Sequence, residues 1–299
     1  MKYQIITLIA VPTLLILTGT FSFFTINQDW NFELTSYIIF LFTFVYILIL
    51  ERIIPLKEEW KLKKSVLWSD IKHLFFSVAV FDALGKMIAL SLVLFVQEYF
   101  FKISDFWNVL PFFITFIIAN LIGEFLPYVY HRISHKGNPN SYLSLLLWKI
   151  HSIHHLPTSL NWFKTNWMHP INMFLNTLLK MMPLLILSFN KEIIFLVFVT
   201  HTVIAYASHA NIRTKKSFLD YLIVTPQIHH FHHSKKMEEA KNFSNIFPFW
   251  DLLFGTYYNR KGIVKEVGVF INSETDYPKN KAYVKQLMFP VTTFKKCCT

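Results

Sequence analysis

The sequence predicts an all-α integral membrane protein: a helical bundle of four long spans plus a short helical hairpin, with a cytoplasmic helical cap carrying clustered histidines. Three observations predict it. Of 299 residues, 54% are hydrophobic and only 16% charged, too apolar for an ordinary soluble domain. The apolar residues gather in runs of about 20, which at 1.5 Å per helical residue cross a bilayer core of roughly 30 Å. Most of the 13 histidines fall in short polar stretches between those runs.

The four plain runs extend from Tyr3 to Phe24, Tyr37 to Ile54, Leu74 to Phe101 and Val109 to Tyr130. The first reads as an anchor, because its apolar stretch runs longer than that of a cleaved signal peptide. Two further runs, Ile171 to Phe189 and Ile193 to Ser208, are separated only by Asn190, Lys191 and Glu192 and form the hairpin. Lys and Arg mark the cytoplasmic ends of spans, whereas acidic residues contribute little. The loop after the second run carries Arg52, Lys57, Lys61, Lys63, Lys64 and Lys72, and the loop after the first has Asp29 and Glu33 but no basic residue. The first loop is therefore expected outside, as is Lys102 to Asn108. Arg132 to Met168 and everything after His209 are expected in the cytoplasm.

A formal charge of +11 concentrated in one stripe would signal nucleic acid. Here the basic residues cluster in loops between apolar runs, so the partner they imply is the membrane surface and not nucleic acid. The loop from Arg52 to Lys72 suits anionic headgroups or an acidic donor protein, besides setting topology. Cys297 and Cys298 are adjacent at the end of the chain beside Lys295 and Lys296. Neighbouring residues cannot staple a fold, so these fit a reducing, frayed tail better than a lipidation signal.

The chemistry lies in the histidines. His131 and His135 stand in HRISH, His151, His154 and His155 in HSIHH, His229, His232 and His233 in HHFHH, and His209 in HANI. On a helix, residues three and four apart share a face, so each motif aims its imidazoles at a common point. Alone, each motif reads as an interfacial helix end, a titrating surface patch or a chance polar run. Three on the same expected side of the membrane read as a metal site. Imidazole suits Fe, Zn, Cu and Ni, and nine histidines exceed the roughly four ligands of a tetrahedral zinc, so two ions sharing them is the economical reading. His169 and His201 are reserve ligands. His73 and His230 are left out, His230 being off the common face. Glu124, Asn161, Asn211, Asp220 and Asn242 are candidates to fix imidazole tautomers, with a buried polar partner inside a membrane helix an equal reading for Glu124.

These residues resemble the fatty acid hydroxylase superfamily, membrane proteins that include sterol desaturases and fatty acid hydroxylases. Its HRxxH box looks like His131 to His135. Its HxxHH box preceded by Trp looks like Trp148 with His151 to His155, and its final HxxHH looks like His229 to His233. The similarity continues in HANI at His209, in the VTP before the last box and in FWDLLFGTYY from Phe249 to Tyr258. It departs at Glu124, where the family usually has Asp, and at His230 and Phe231, where Arg and Trp are common.

The resemblance implies two Fe ions in a non-haem di-iron centre, O2 as co-substrate and electrons from an external cytochrome b5 or ferredoxin-type donor. It also implies one structural unit in three stretches: membrane-anchoring helices over 1–107, the catalytic region over 108–259 and a cytoplasmic tail over 260–299. The expected activity is O2-dependent hydroxylation or desaturation of a lipid C–H bond, the lipid reaching the metals from the bilayer. The alternative is a membrane metal transporter or metal-binding protein using the same histidines. Transport sites lie near the bilayer midplane, whereas these motifs fall at span ends. A catalytically inactive scaffold that keeps metal for stability is a third reading.

Overall fold

The computed structural model describes residues 2–99, 106–138, 140–269 and 277–292. Cys297 and Cys298 lie outside them, as does part of the loop from Lys102 to Asn108. The described chain is all-helical, and its only extended pairings are the isolated bridges Pro55 to Ile212 and Ser234 to Val267. The helices are α1 (Lys2–Asn27), α2 (Phe32–Ile53), α3 (Lys64–His73), α4 (Ala83–Tyr99), α5 (Phe112–Ser134), α6 (Tyr142–His155), α7 (Pro170–Ile186), α8 (Lys191–His209), α9 (Pro226–His232), α10 (Phe249–Leu253) and α11 (Tyr283–Met288).

Among the described residues, five stretches are long and apolar enough to cross a membrane: Ile5–Asn27, Phe32–Ile53, Lys64–Val96, Phe112–Ser134 and Lys191–His209. The expected hairpin is present as α7 and α8, of which only α8 reaches that length. Large apolar side chains such as Ile16, Leu41 and Phe113 remain exposed along the spans, the surface a bilayer would cover. The chain is a multi-pass membrane protein.

The third span starts earlier than the apolar run. A helix begins at Lys64 and continues from α3 through a π-helical stretch, Leu74–Asp82, into α4. Its polar first turns are used for packing: the carboxylate of Asp70 pairs with Lys164 in the interior, and both residues are buried. Past the π stretch, Gly85 lets α4 approach α7 closely, since a Cβ there would stand 3.1 Å from the carbonyl oxygen of Phe174.

Two carboxylates, Glu51 near the end of α2 and Glu124 midway along α5, tie the polar segments to the bundle. Glu51 of α2 accepts the backbone N–H groups of Trp162 and Asn211, two distant loops, on one oxygen. Glu124 of α5 accepts three consecutive N–H groups, those of Asn245, Ile246 and Phe247. The described C-terminal residues also pack inward. Val264 and Val267 join Trp60, Leu160 and Phe231, and Phe289 joins Ile153, Leu156 and Trp167.

Replacing Glu124 by Leu strands three buried N–H donors at about 1–3 kcal/mol each. Thermal unfolding of the detergent-solubilised variant is expected well below wild type, with Glu124→Gln, which keeps an acceptor, in between. An unchanged midpoint for the Leu variant would contradict the clamp.

Candidate metal centre

Each histidine motif sits where a helix ends. His131 is in the last turn of α5 and His135 is its C-cap. His151, His154 and His155 occupy the C-terminal end of α6, and His209 is the final residue of α8. His229 and His232 lie in α9, with His233 as its C-cap. The start of α9 is set by Thr225 at the N-cap and Pro226 at the first helical position, where the missing N–H removes nothing. A helix C-terminus bears a negative partial charge of roughly half a unit, so these converging ends create a field that favours cations.

The nine predicted histidines come together in two adjoining groups. One holds His131, His135, His151, His155 and His232, the other His154, His209, His229 and His233, and within each group the ring nitrogens lie within 4.8 Å of one another. The groups touch, with the rings of His155 and His233 4.5 Å apart. All are buried except His135, which is partly open.

In five of the nine rings the tautomer is set by a partner on the far side of the ring. The Nδ1–H groups of His131, His154, His209 and His232 donate to the carbonyls of Phe243, Trp167, Ala205 and Lys241 at 2.7, 3.0, 2.9 and 2.9 Å. That of His151 donates to the Asn172 amide oxygen at 3.2 Å. A neutral imidazole with Nδ1–H committed has only a lone pair on Nε2. Yet Nε2 of His131 stands 3.1 Å from Nε2 of both His151 and His232, and Nε2 of His154 stands 3.1 Å from that of His209. Lone pairs facing at that distance repel unless a cation sits between them.

That cation is not a proton. Burial, which disfavours the charged ring, pushes His154 down to about 4 and holds His135, His151, His155, His229, His232 and His233 well below the ordinary histidine value. The rings stay neutral at physiological pH, and converging neutral imidazole nitrogens with no carboxylate among them fit transition-metal ions.

The remaining histidines stand apart. His169 caps α7, accepting the N–H of Ile171 and donating to the carbonyl of Leu287. His201 is buried with neither ring nitrogen paired and outside both groups. His73 contacts Met168 and Gln286. His230 points away, donating to the carbonyl of Ala210 and packing on Trp60.

None of the five residues expected to fix tautomers hydrogen-bonds an imidazole. Glu124 clamps a loop, and Asn161, Asn211, Asp220 and Asn242 bind backbone or side-chain groups elsewhere. The partners are instead mostly carbonyls, which every residue carries and no residue type announces. Asn172, three residues after His169, carried no spacing signal. Asp251 acts one step further out: its carboxylate accepts the N–H groups of Phe243 and Ser244 and the Thr256 hydroxyl, fixing the carbonyl that holds His131.

A chamber of about 60 Å³ opens beside both groups, bordered by His131 and His151 of one and His154, His209 and His229 of the other. Its other walls include Asn172, Asn176, Thr165, Ser208 and Asn245.

The pH dependence has a definite sign. Unfolded histidines take up protons near 6.5, whereas His154 in the fold resists until about 4, so the unfolded state binds more protons in between. Metal-stripped protein is expected to lose thermal stability progressively as pH falls from 6.5 towards 4. A flat unfolding midpoint over that window would contradict neutral buried rings.

Comparison with known proteins agrees with this geometry. Residues 116–256 match the fatty acid hydroxylase family, a region that contains all nine clustered histidines. The chain is 25% identical over 262 residues to an ornithine lipid hydroxylase, OlsE, of Rhizobium tropici, covering 86% of this chain and 77% of that protein. No solved structure matches. The boxes, their convergence and these similarities together support the fatty acid hydroxylase superfamily for this chain.

Proposed function

We propose that this protein is a membrane-bound, O2-dependent di-iron enzyme that hydroxylates a lipid C–H bond, with its histidine motifs facing the cytoplasm. The observation that carries the proposal is the pair of all-imidazole groups whose Nε2 lone pairs converge at 3.0–3.2 Å. Imidazole groups suit Fe as well as Zn, Cu and Ni, and the match to the fatty acid hydroxylase family favours iron. His131, His135, His151, His155 and His232 would hold one ion, and His154, His209, His229 and His233 the other. Bound iron supplies O2 activation, with electrons arriving from an external cytochrome b5 or ferredoxin-type donor.

The residues around the groups do the rest. The carbonyls of Phe243, Trp167, Ala205 and Lys241 hold the Nδ1 protons on the outer side of the rings, leaving each Nε2 free for metal. The chamber shared by both groups is where a substrate carbon can meet both sites, and it opens among α5, α7 and α8, the membrane part of the fold. The surrounding helices keep bulk water from the reacting atoms. Asn172, Asn176, Ser208 and Asn245 set polar groups into a chamber whose lining is mainly apolar, a surface that accepts a hydrocarbon segment of a lipid. The likeness to a protein named as an ornithine lipid hydroxylase supports a lipid substrate.

Purified protein is expected to carry two iron ions, one per group. His154→Ala and His232→Ala should each lose iron and abolish turnover, read by metal analysis and by 18O2 incorporation into membrane lipids. Full iron and full activity in either variant would overturn the ligand assignment, and lipids that gain no 18O in the presence of wild type would overturn the activity.

A further inference from the structure

The five-histidine group borders a second cavity, which shares no lining residue with the chamber. A cavity of about 320 Å³ reaches His135 and His155 and is rimmed by Lys136, Lys235 and Lys241, with Trp148 and Tyr277 along its wall. His135, the one partly open member of the nine, forms its floor, and its Nε2 has no hydrogen-bond partner. The opening touches only one of the two groups, so a C–H bond placed in it would miss the other.

Trp148 is its central feature. The indole lies 5.4 Å from the ring of His135 and 6.1 Å from that of His155, and its Nε1–H donates to the Tyr277 hydroxyl at 2.9 Å. Behind it, Gly137 adopts φ +50°, with a Cβ position 3.3 Å from the indole. The ring is thus held between the cavity wall and two of the histidines, an unbroken aromatic route inward. The loop from Arg52 to Lys72, the earlier candidate for docking a donor, offers no such route. Lys57 binds the carbonyl of Lys265, Lys61 pairs with Glu58, and Trp60 rests on His230, whose ring points away from both groups.

We propose that this lysine-rimmed cavity is the docking face for an acidic one-electron donor protein, and that Trp148, backed by Tyr277, carries the electrons from it to the five-histidine group. The proposal rests on the di-iron reading above. Per turnover, the substrate C–H, one O2, two electrons and two protons yield the C–OH product and one water. Each of two donor molecules is oxidised by one electron, each electron reduces one Fe(III) to Fe(II), and the protons come from solvent. Lys136 and Lys241 supply charge complementarity beside Lys235, which pairs with Glu266 at 3.6 Å. Steering by such a rim raises association rates and depends on salt.

The test uses the full-length, iron-loaded protein in phosphatidylcholine nanodiscs, with a reduced acidic [2Fe–2S] ferredoxin as the probe donor and dithionite as a small reductant. The charge-reversed variant Lys136→Glu with Lys241→Glu is expected to bind immobilised ferredoxin about tenfold more weakly. Its second-order reduction by ferredoxin should be slowed as much at low salt, with iron content and dithionite reduction unchanged. Trp148→Leu should leave ferredoxin affinity intact while slowing reduction within the complex. Unchanged affinity and rate in the charge-reversed variant would overturn the proposal, as would a wild-type centre that dithionite reduces and ferredoxin does not. Loss of binding to phosphatidylglycerol vesicles with ferredoxin reduction unaffected would make the rim a membrane contact and overturn it equally. A protein whose centre takes no electrons even from dithionite would overturn the di-iron reading itself.

Discussion

The whole site depends on lone pairs pointing at one another. In a neutral imidazole the commitment of Nδ1–H to a carbonyl leaves Nε2 without a proton. Here the rings of His131, His151 and His232, and those of His154 and His209, bring such nitrogens to 3.1 Å. Burial keeps protons away from the cap histidines. A metal ion among these nitrogens would relieve that repulsion, and binding free energy at such a site becomes folding free energy. The negative ends of α5, α6, α8 and α9 add to this, since each presents its last turn to the same place.

Holding those helix ends in register is the work of the buried polar clamps. Glu51 joins two loops to α2, Glu124 joins three consecutive N–H groups to α5, and Asp251 fixes the strip from which the Phe243 carbonyl reaches His131. Charges this deep are costly unless fully satisfied, so each carboxylate orders only the segment that satisfies it. The result is a membrane bundle whose polar end is rigid where the metal needs it.

Much of this was legible in the sequence, for physical reasons. A span must be apolar along its whole length, and a multidentate site on a helix must repeat at three and four residues, so the spans and all nine clustered histidines announced themselves. His73 and His230 stand outside both groups, His230 because its place between His229 and His232 turns it to the opposite face. Other features left no such mark. The tautomer-fixing acceptors are mainly backbone carbonyls, and the residues expected in that role, Glu124 and Asn211 among them, serve as loop clamps. The third span began ten residues before its apolar run because Asp70 is buried against Lys164, a tertiary partnership that local hydropathy cannot express. The inward packing of Val267 and Phe289 was equally invisible in a polar stretch.

The account is tested most directly by anomalous diffraction at the iron edge from crystals of the purified protein. Two iron peaks are predicted, one enclosed by His131, His135, His151, His155 and His232 and the other by His154, His209, His229 and His233. Crystals of fully folded protein with no peak among these rings, or with a single ion bridging the two groups, would contradict it.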